Sequence, residues 1–263
     1  GRKGRLVLVE GTGHPGVGSV FDMSNARVAK ILRTPVLLVL DGGVGSTIDR
    51  FNLCASMFRY YEVPVLGVVI NRIISAKMDS VKELLGQWFS RRKIPVFGYI
   101  PYEESISRPS PGLIRRTIGA EPVIESSEAS VSAGGYLSAF GSAERVLKQI
   151  SLDPERTLLV DHSRPDVLDA VIVSSISGNP GPGGVIVCGG EPDGRRVQAF
   201  AKTGIPLYAT PRDIEASTGR LSRRIFKVEP HEETKIRTII ELVGKHVDIQ
   251  GLLDSLTGEP EEV

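Results

Sequence analysis

One unit repeats through the first hundred residues: an apolar, β-branched run, a turn, then a stretch of helical periodicity. The runs are Arg5–Glu10, Pro35–Asp41, Pro64–Asn71 and Pro95–Pro101, and the helical stretches between them are Ser24–Leu32, Thr47–Tyr61 and Lys77–Arg91. Each run is apolar almost throughout, as a strand buried on both faces must be. Alternation at this spacing requires right-handed crossovers and predicts an α/β fold built on a parallel sheet. The runs share a polarity. They end in Glu10, Asp41, Asn71 and Pro101, and the carboxyl edge of an open parallel sheet is where ligands bind.

The periodicity weakens from about Pro109 to Leu152, where Ser, Gly and Glu are frequent. A second, smaller α/β unit follows. Its expected strands are Thr157–Asp161, Gly184–Cys188, Ile205–Ala209 and a short one at Phe226–Val228. Its expected helices are Pro165–Ser174, Arg195–Thr203, Asp213–Arg220 and Glu232–Val243, the last opened by acidic residues that suit a helix N-terminus. The domain junction is placed near Pro122, giving units 1–122 and 123–263.

Composition removes several classes of function. A net charge of +1 leaves no electrostatic footprint for nucleic acid. The longest apolar runs are far too short to cross a bilayer, and no signal-peptide pattern opens the chain. The two cysteines, Cys54 and Cys188, read as core residues in a reducing, cytoplasmic setting. The four histidines have no metal-ligand spacing.

Three loops and one strand end are chemical candidates. Glu10–Ser19 (EGTGHPGVGS) follows the first run. Its glycines would let backbone amides approach an anion, and Glu10 could hold a hard cation; the alternative is a tight glycine turn. Asp41–Thr47 (DGGVGST) is the second. Neither fits G-x-x-x-x-G-K-[ST], because the phosphate-neutralising lysine is missing, and no other segment fits. Asn71 offers both a donor and an acceptor, suited to an adenine edge or to tying down a loop. In the second unit, Gly189 and Gly190 follow an apolar strand and would expose amides beside Asp161 and Arg164. Arg164 is free to pair with a phosphate or carboxylate ligand, or with Asp166. No G-x-S-x-G occurs, which removes the serine-hydrolase reading.

These residues resemble known families. VEGTG at Val9–Gly13, PVLLVLDGGVGSTID, GVVINRI at Gly67–Ile73 and GYIP at Gly98–Pro101 resemble, in order and spacing, the segments of dethiobiotin synthetases and cobyrinic acid a,c-diamide synthases. Thr157–Leu221 resembles the DRTGG domain, although the literal string is absent. The two in this order are similar to the N-terminal region of long bacterial phosphotransacetylases. The resemblance implies an incomplete P-loop NTPase-like domain, with Gly11 and Gly13 on the phosphate or substrate side, Asn71 and Pro101 near adenine, and Glu10 near Mg²⁺. ATP and Mg²⁺ are then the cofactors expected of a complete protein, and the lysine would lie upstream of Glu10. It further implies a DRTGG-like regulatory domain whose ligand loop includes Asp161, Arg164, Gly189 and Gly190. The expected partners are a nucleotide or other small anion and a second copy of the chain, with neither nucleic acid nor membrane. The rival expectation is a non-catalytic module that senses a ligand or dimerises. An acetyl–phosphate transferase is a third, remote reading, because its catalytic domain would follow the DRTGG domain.

Overall fold

The computed structural model describes residues 6–124 and 134–257. The chain is α/β and forms two compact units. One comprises residues 1–103 with 236–263, the other residues 104–235.

In the first unit, helix α1 (Asn25–Leu32) precedes strand β1 (Val36–Asp41), α2 (Gly45–Tyr60), β2 (Val65–Ile73), α3 (Met78–Ser90) and β3 (Val96–Pro101). The strands make a parallel sheet in the order β1-β2-β3. Ser24 starts α1 by accepting a hydrogen bond from Arg27 N, satisfying one of the free amides of the first turn. Phe51 and Ala55 of α2 and Val81, Leu85 and Phe89 of α3 pack with Leu40, Val68, Ile70 and Ile73 of the sheet. Phe51 meets Phe89 edge to face at 5.2 Å between ring centroids.

The second unit begins with α4 (Glu104–Ser107), α5 (Pro111–Ile118), β4 (Glu121–Ile124), β5 (Tyr136–Ser138) and α6 (Ala143–Leu152). Then come β6 (Thr157–Asp161), α7 (Pro165–Ile176), β7 (Gly184–Cys188), α8 (Gly194–Ala201), β8 (Leu207–Thr210) and α9 (Ile214–Ser222). Its five-stranded sheet runs β4-β8-β7-β6-β5, with only β4 antiparallel to its neighbour. Polar caps start four of its helices: Ser110 for α5, Ser142 for α6, Asp193 for α8 and Asp213 for α9 each accept from the backbone N–H three residues on. Helix α10 (Glu233–His246) spans the division between the units, and α11 (Ile249–Thr257) belongs to the first. There Asp248 N donates to Phe97 O at 2.6 Å, and Val247 bridges Gly98 of β3. Gly98 permits this approach: a Cβ on it would lie 2.6 Å from His246 O.

Three expectations are corrected. The run Arg5–Glu10 is no strand: its described part, Leu6–Glu10, pairs with nothing, and Leu8 is 90 % exposed. A buried strand needs neighbours, and this segment has none among the described residues. Phe226–Val228 is not a strand either; Phe226 inserts its ring against the core around Ile118 and Tyr208 instead of pairing its backbone. Pro122, the expected junction, lies inside β4, where it pairs with Tyr208 of β8, so the chain divides earlier, after Glu103. Residues 236–257 return to the first unit because α11 packs on β2 and β3. Part of the expected Ser- and Gly-rich stretch, residues 125–133, falls outside the described residues.

Candidate functional site

In the first unit, the carboxyl ends of three parallel strands are drawn together by main-chain bonds. Gly42 N donates to Asn71 O at 2.5 Å, and Tyr102 N donates to Ile73 O at 2.8 Å. A Cβ on Gly42 would stand 2.8 Å from Ile73 Cα, so only glycine lets the β1 loop cross this closely. Thr47, buried at the start of α2, donates to Asp41 O or to Gly43 O, each 2.7 Å from its hydroxyl, and holds the loop's shape. Asn71, Pro101 and Asp41 therefore share one edge, as the strand ends require.

The side chains at this edge are specific. Asn71 Oδ1 accepts from Arg72 N at 2.9 Å, which points the amide's NH₂ group away from the bond and leaves it as a donor. The exposed carboxylate of Asp41 lies 3.5 Å from Arg50 Nη1 and 3.9 Å from Arg72 Nη1. The Arg72 guanidinium stands 5.8 Å from the centre of the Tyr102 ring. Burial against α3 pushes the Tyr99 phenol above its ordinary range. Arg72 falls in the GVVINRI segment, which by itself gives it no role, and Tyr102 carries no motif. Their place depends on backbone geometry at the end of β2.

The glycine loop Glu10–Ser19 is organised separately. Asn25 Nδ2 donates to Thr12 O at 2.9 Å and to His14 O at 3.0 Å. Asn25 N donates to Val17 O, and Ala26 N to Pro15 O. Gly13 and Gly18 have φ of 70° and 95°, and a Cβ on Gly18 would collide with Met23 O. The loop is thus a glycine-dependent fold against the start of α1. Glu10, Gly11 and Gly13 are exposed on it, and among the described residues none of its hydrogen bonds reaches Asn71 or Pro101. No group of three or more His, Cys, Asp or Glu residues among the described residues is placed to hold a metal ion. Glu10 alone does not make a Mg²⁺ centre, which needs further carboxylates, waters or phosphates.

In the second unit, Asp161, Cys188 and Thr210 end adjacent parallel strands. His162 lies over the double glycine: a Cβ on Gly189 would be 3.0 Å from His162 Nδ1, and one on Gly190 would be 3.2 Å from His162 Cγ. Part of the expected anion cradle is tied up internally. Gly189 N donates to Thr210 O, His162 N to Cys188 O, and Arg164 N to Asp161 O, each at 2.9 Å. Ser163 donates to Asp161 Oδ1 through both its hydroxyl and its N–H, which holds that carboxyl below the usual range. Arg164 is bidentate on Asp166, at 2.8 and 2.7 Å, and also donates to Gly141 O. Between a ligand and Asp166, the fold takes the carboxylate two residues away. Cys188 is fully buried, and burial pushes its thiol up to about 11, so it is no nucleophile at neutral pH.

Among the described residues, no helix is long and apolar enough to cross a membrane. Residues 2–110 match the family model of an AAA domain. A phosphate acetyltransferase of Nitratidesulfovibrio vulgaris is 22 % identical over 255 residues, covering 92 % of this chain and 36 % of that protein. A cobyrinate a,c-diamide synthase of Limosilactobacillus reuteri is 32 % identical over 108 residues, covering 40 % of this chain and 23 % of the enzyme. A crystal structure of the CBS and DRTGG domains from the regulatory region of a Clostridium perfringens pyrophosphatase, complexed with its activator diadenosine tetraphosphate, covers 73 % of this chain and 74 % of its own, at 16 % identity and a TM-score of 0.38. The chain thus spans about a third of the first relative and under a quarter of the second.

Proposed function

We propose that the first unit recognises the adenine side of a nucleotide at the carboxyl edge of β1-β2-β3, and that the second unit is a DRTGG-like regulatory module of the same protein. The observation that carries this reading is Asn71: its oxygen is tied back by Arg72 N, which leaves its NH₂ as a hydrogen-bond donor two residues from Ile73, the partner of Pro101. A purine offers ring-nitrogen acceptors to such a donor. The match of residues 2–110 to an AAA domain and the partial identity to cobyrinate a,c-diamide synthases support it.

The reading assigns binding to this chain but not turnover. Neither glycine loop carries a lysine to neutralise a transferring phosphoryl group. Calorimetric titration of Mg-ATP, Mg-ADP and adenosine tests it. Binding of adenosine and Mg-ATP that Asn71→Ala weakens supports the reading; the absence of binding by any of the three sinks it.

A second reading is favoured by the loop after β6, where Arg164 is held by Asp166: a non-catalytic module that regulates a partner enzyme. It gains ground if Mg-ATP fails to bind while the chain still self-associates.

A further inference from the structure

We propose that Arg72 is the residue that grips the anionic phosphates of the nucleotide; the idea rests on the nucleotide reading above and adds to it a specific cation. Five described residues other than glycine have left-handed backbone: Asp22, Arg33, Glu62, Arg72 and Lys93. Four of them sit in turns that end helical segments, a common place for such geometry. Arg72 alone sits in a strand, at φ 60°.

The strand is bulged there. The register between β2 and β3 breaks between Ile70 and Ile73, which places Asn71 and Arg72 in the irregular stretch. Bulges bend a strand and re-aim a side chain, and they gather beside functional sites; their left-handed position ordinarily holds glycine. A bulky arginine in that position is strain retained by the surrounding structure. Its effect is to carry the guanidinium across the sheet end toward Asp41 and Tyr102.

The contacts Arg72 makes there are weak ones. Its distance to Asp41 is 3.9 Å, that of Arg50 is 3.5 Å, and all three side chains are at least 60 % exposed. Long, solvated ion pairs hold little free energy. Two guanidiniums share one carboxylate, so the cluster keeps a net positive charge at the ligand edge. A phosphate offers Arg72 the bidentate, charge-assisted geometry that Asp41 does not provide at this distance. Asp41 then serves to hold the two arginines over the edge until an anion arrives.

The test is calorimetry of adenosine, Mg-ADP and Mg-ATP on the wild type, Arg72→Gly and Arg72→Lys, with thermal melting of each. Arg72→Gly keeps the left-handed backbone and the bond from residue 72 N to Asn71. It should melt no lower than the wild type, bind adenosine as before, and bind Mg-ATP about tenfold more weakly, as loss of a charge-assisted hydrogen bond predicts. Arg72→Lys should fall between, retaining charge without the fork. Unchanged Mg-ATP affinity in Arg72→Gly overturns the proposal and leaves the nucleotide reading standing. So does an equal loss for adenosine and Mg-ATP, which would make Arg72 a positioning residue for Asn71. If the wild type binds none of the three, the proposal and the nucleotide reading fall together.

Discussion

Lys235 Nζ donates to the carbonyl oxygen of Arg108 at 2.6 Å, joining residues at the two ends of the second unit. The same ammonium lies 2.8 Å from Glu232 Oε1, and the two side chains are only 7 % and 6 % exposed. A buried pair adds little over an apolar replacement, but breaking one leaves an unpaired charge in the interior. Lys235→Met should therefore destabilise the protein by about 3–5 kcal/mol. Urea unfolding measures it. The double variant Lys235→Met, Glu232→Leu should recover much of the loss, and no recovery would show that the bond to Arg108, not the charge, dominates.

Cys188 predicts a pH dependence. Burial raises its thiol from an ordinary 9.0 to about 11. Below pH 9 folded and unfolded chains both keep the proton, and the contribution to stability is whole. Between about 9 and about 11 the unfolded chain ionises while the folded one does not, so stability falls, by about 2–3 kcal/mol across the window. Unfolding of the wild type and of Cys188→Ala at about pH 8 and about pH 10.5 separates this from other alkaline losses. The wild type should lose more; equal losses would exclude the thiol as the cause.

The glycine pair after β1 separates close approach from mere flexibility. A Cβ on Gly42 meets the backbone of Ile73 at 2.8 Å, which cannot yield cheaply. A Cβ on Gly43 meets Ser46 Oγ at 2.6 Å, a side-chain end that can rotate away. Gly42→Ala should cost about 1–3 kcal/mol and disturb the bond to Asn71, while Gly43→Ala should cost well under that. Thermal melts of the two variants decide it, and equal costs would mean the crossing at Ile73 relaxes freely.

How far the sequence could be read depended on what each residue needs. Thr157–Asp161 and Gly184–Cys188 were legible to the residue because strands buried on both faces leave unbroken apolar runs. Leu6–Val9 writes the same pattern yet lies exposed, since a run cannot state whether a neighbouring strand is present. Helix α5 was missed although Ser110 caps it and Pro111 opens it, because eight residues hold too little periodicity beside a Ser- and Gly-rich stretch. Asn71 was expected at the end of its strand, but β2 runs two residues further, to Ile73. Arg72 was not legible, because a bulge occupied by arginine lacks the glycine that would mark it. The double glycine after β7 looked like an anion cradle; only the geometry shows His162 over it and the Gly189 amide already bonded to Thr210 O.

Among the described residues, the first sheet has one unpaired edge. β3 is bridged by Val247, but among the described residues β1 pairs only with β2. Val36 N and Gly42 N donate toward β2, so alternation along the strand turns the backbone groups of Leu37 and Val39 outward. Val39 is also 61 % exposed, and the edge has no lysine or proline to block pairing. The chain should associate with itself through β1 in a concentration-dependent way, and Val39→Lys should weaken that association because a charge at an edge opposes strand addition. Sedimentation velocity over roughly 10–200 µM, the range in which weak edge pairing becomes visible, reads both. A wild type that stays monomeric throughout, or association that Val39→Lys leaves unchanged, would remove β1 as the contact surface.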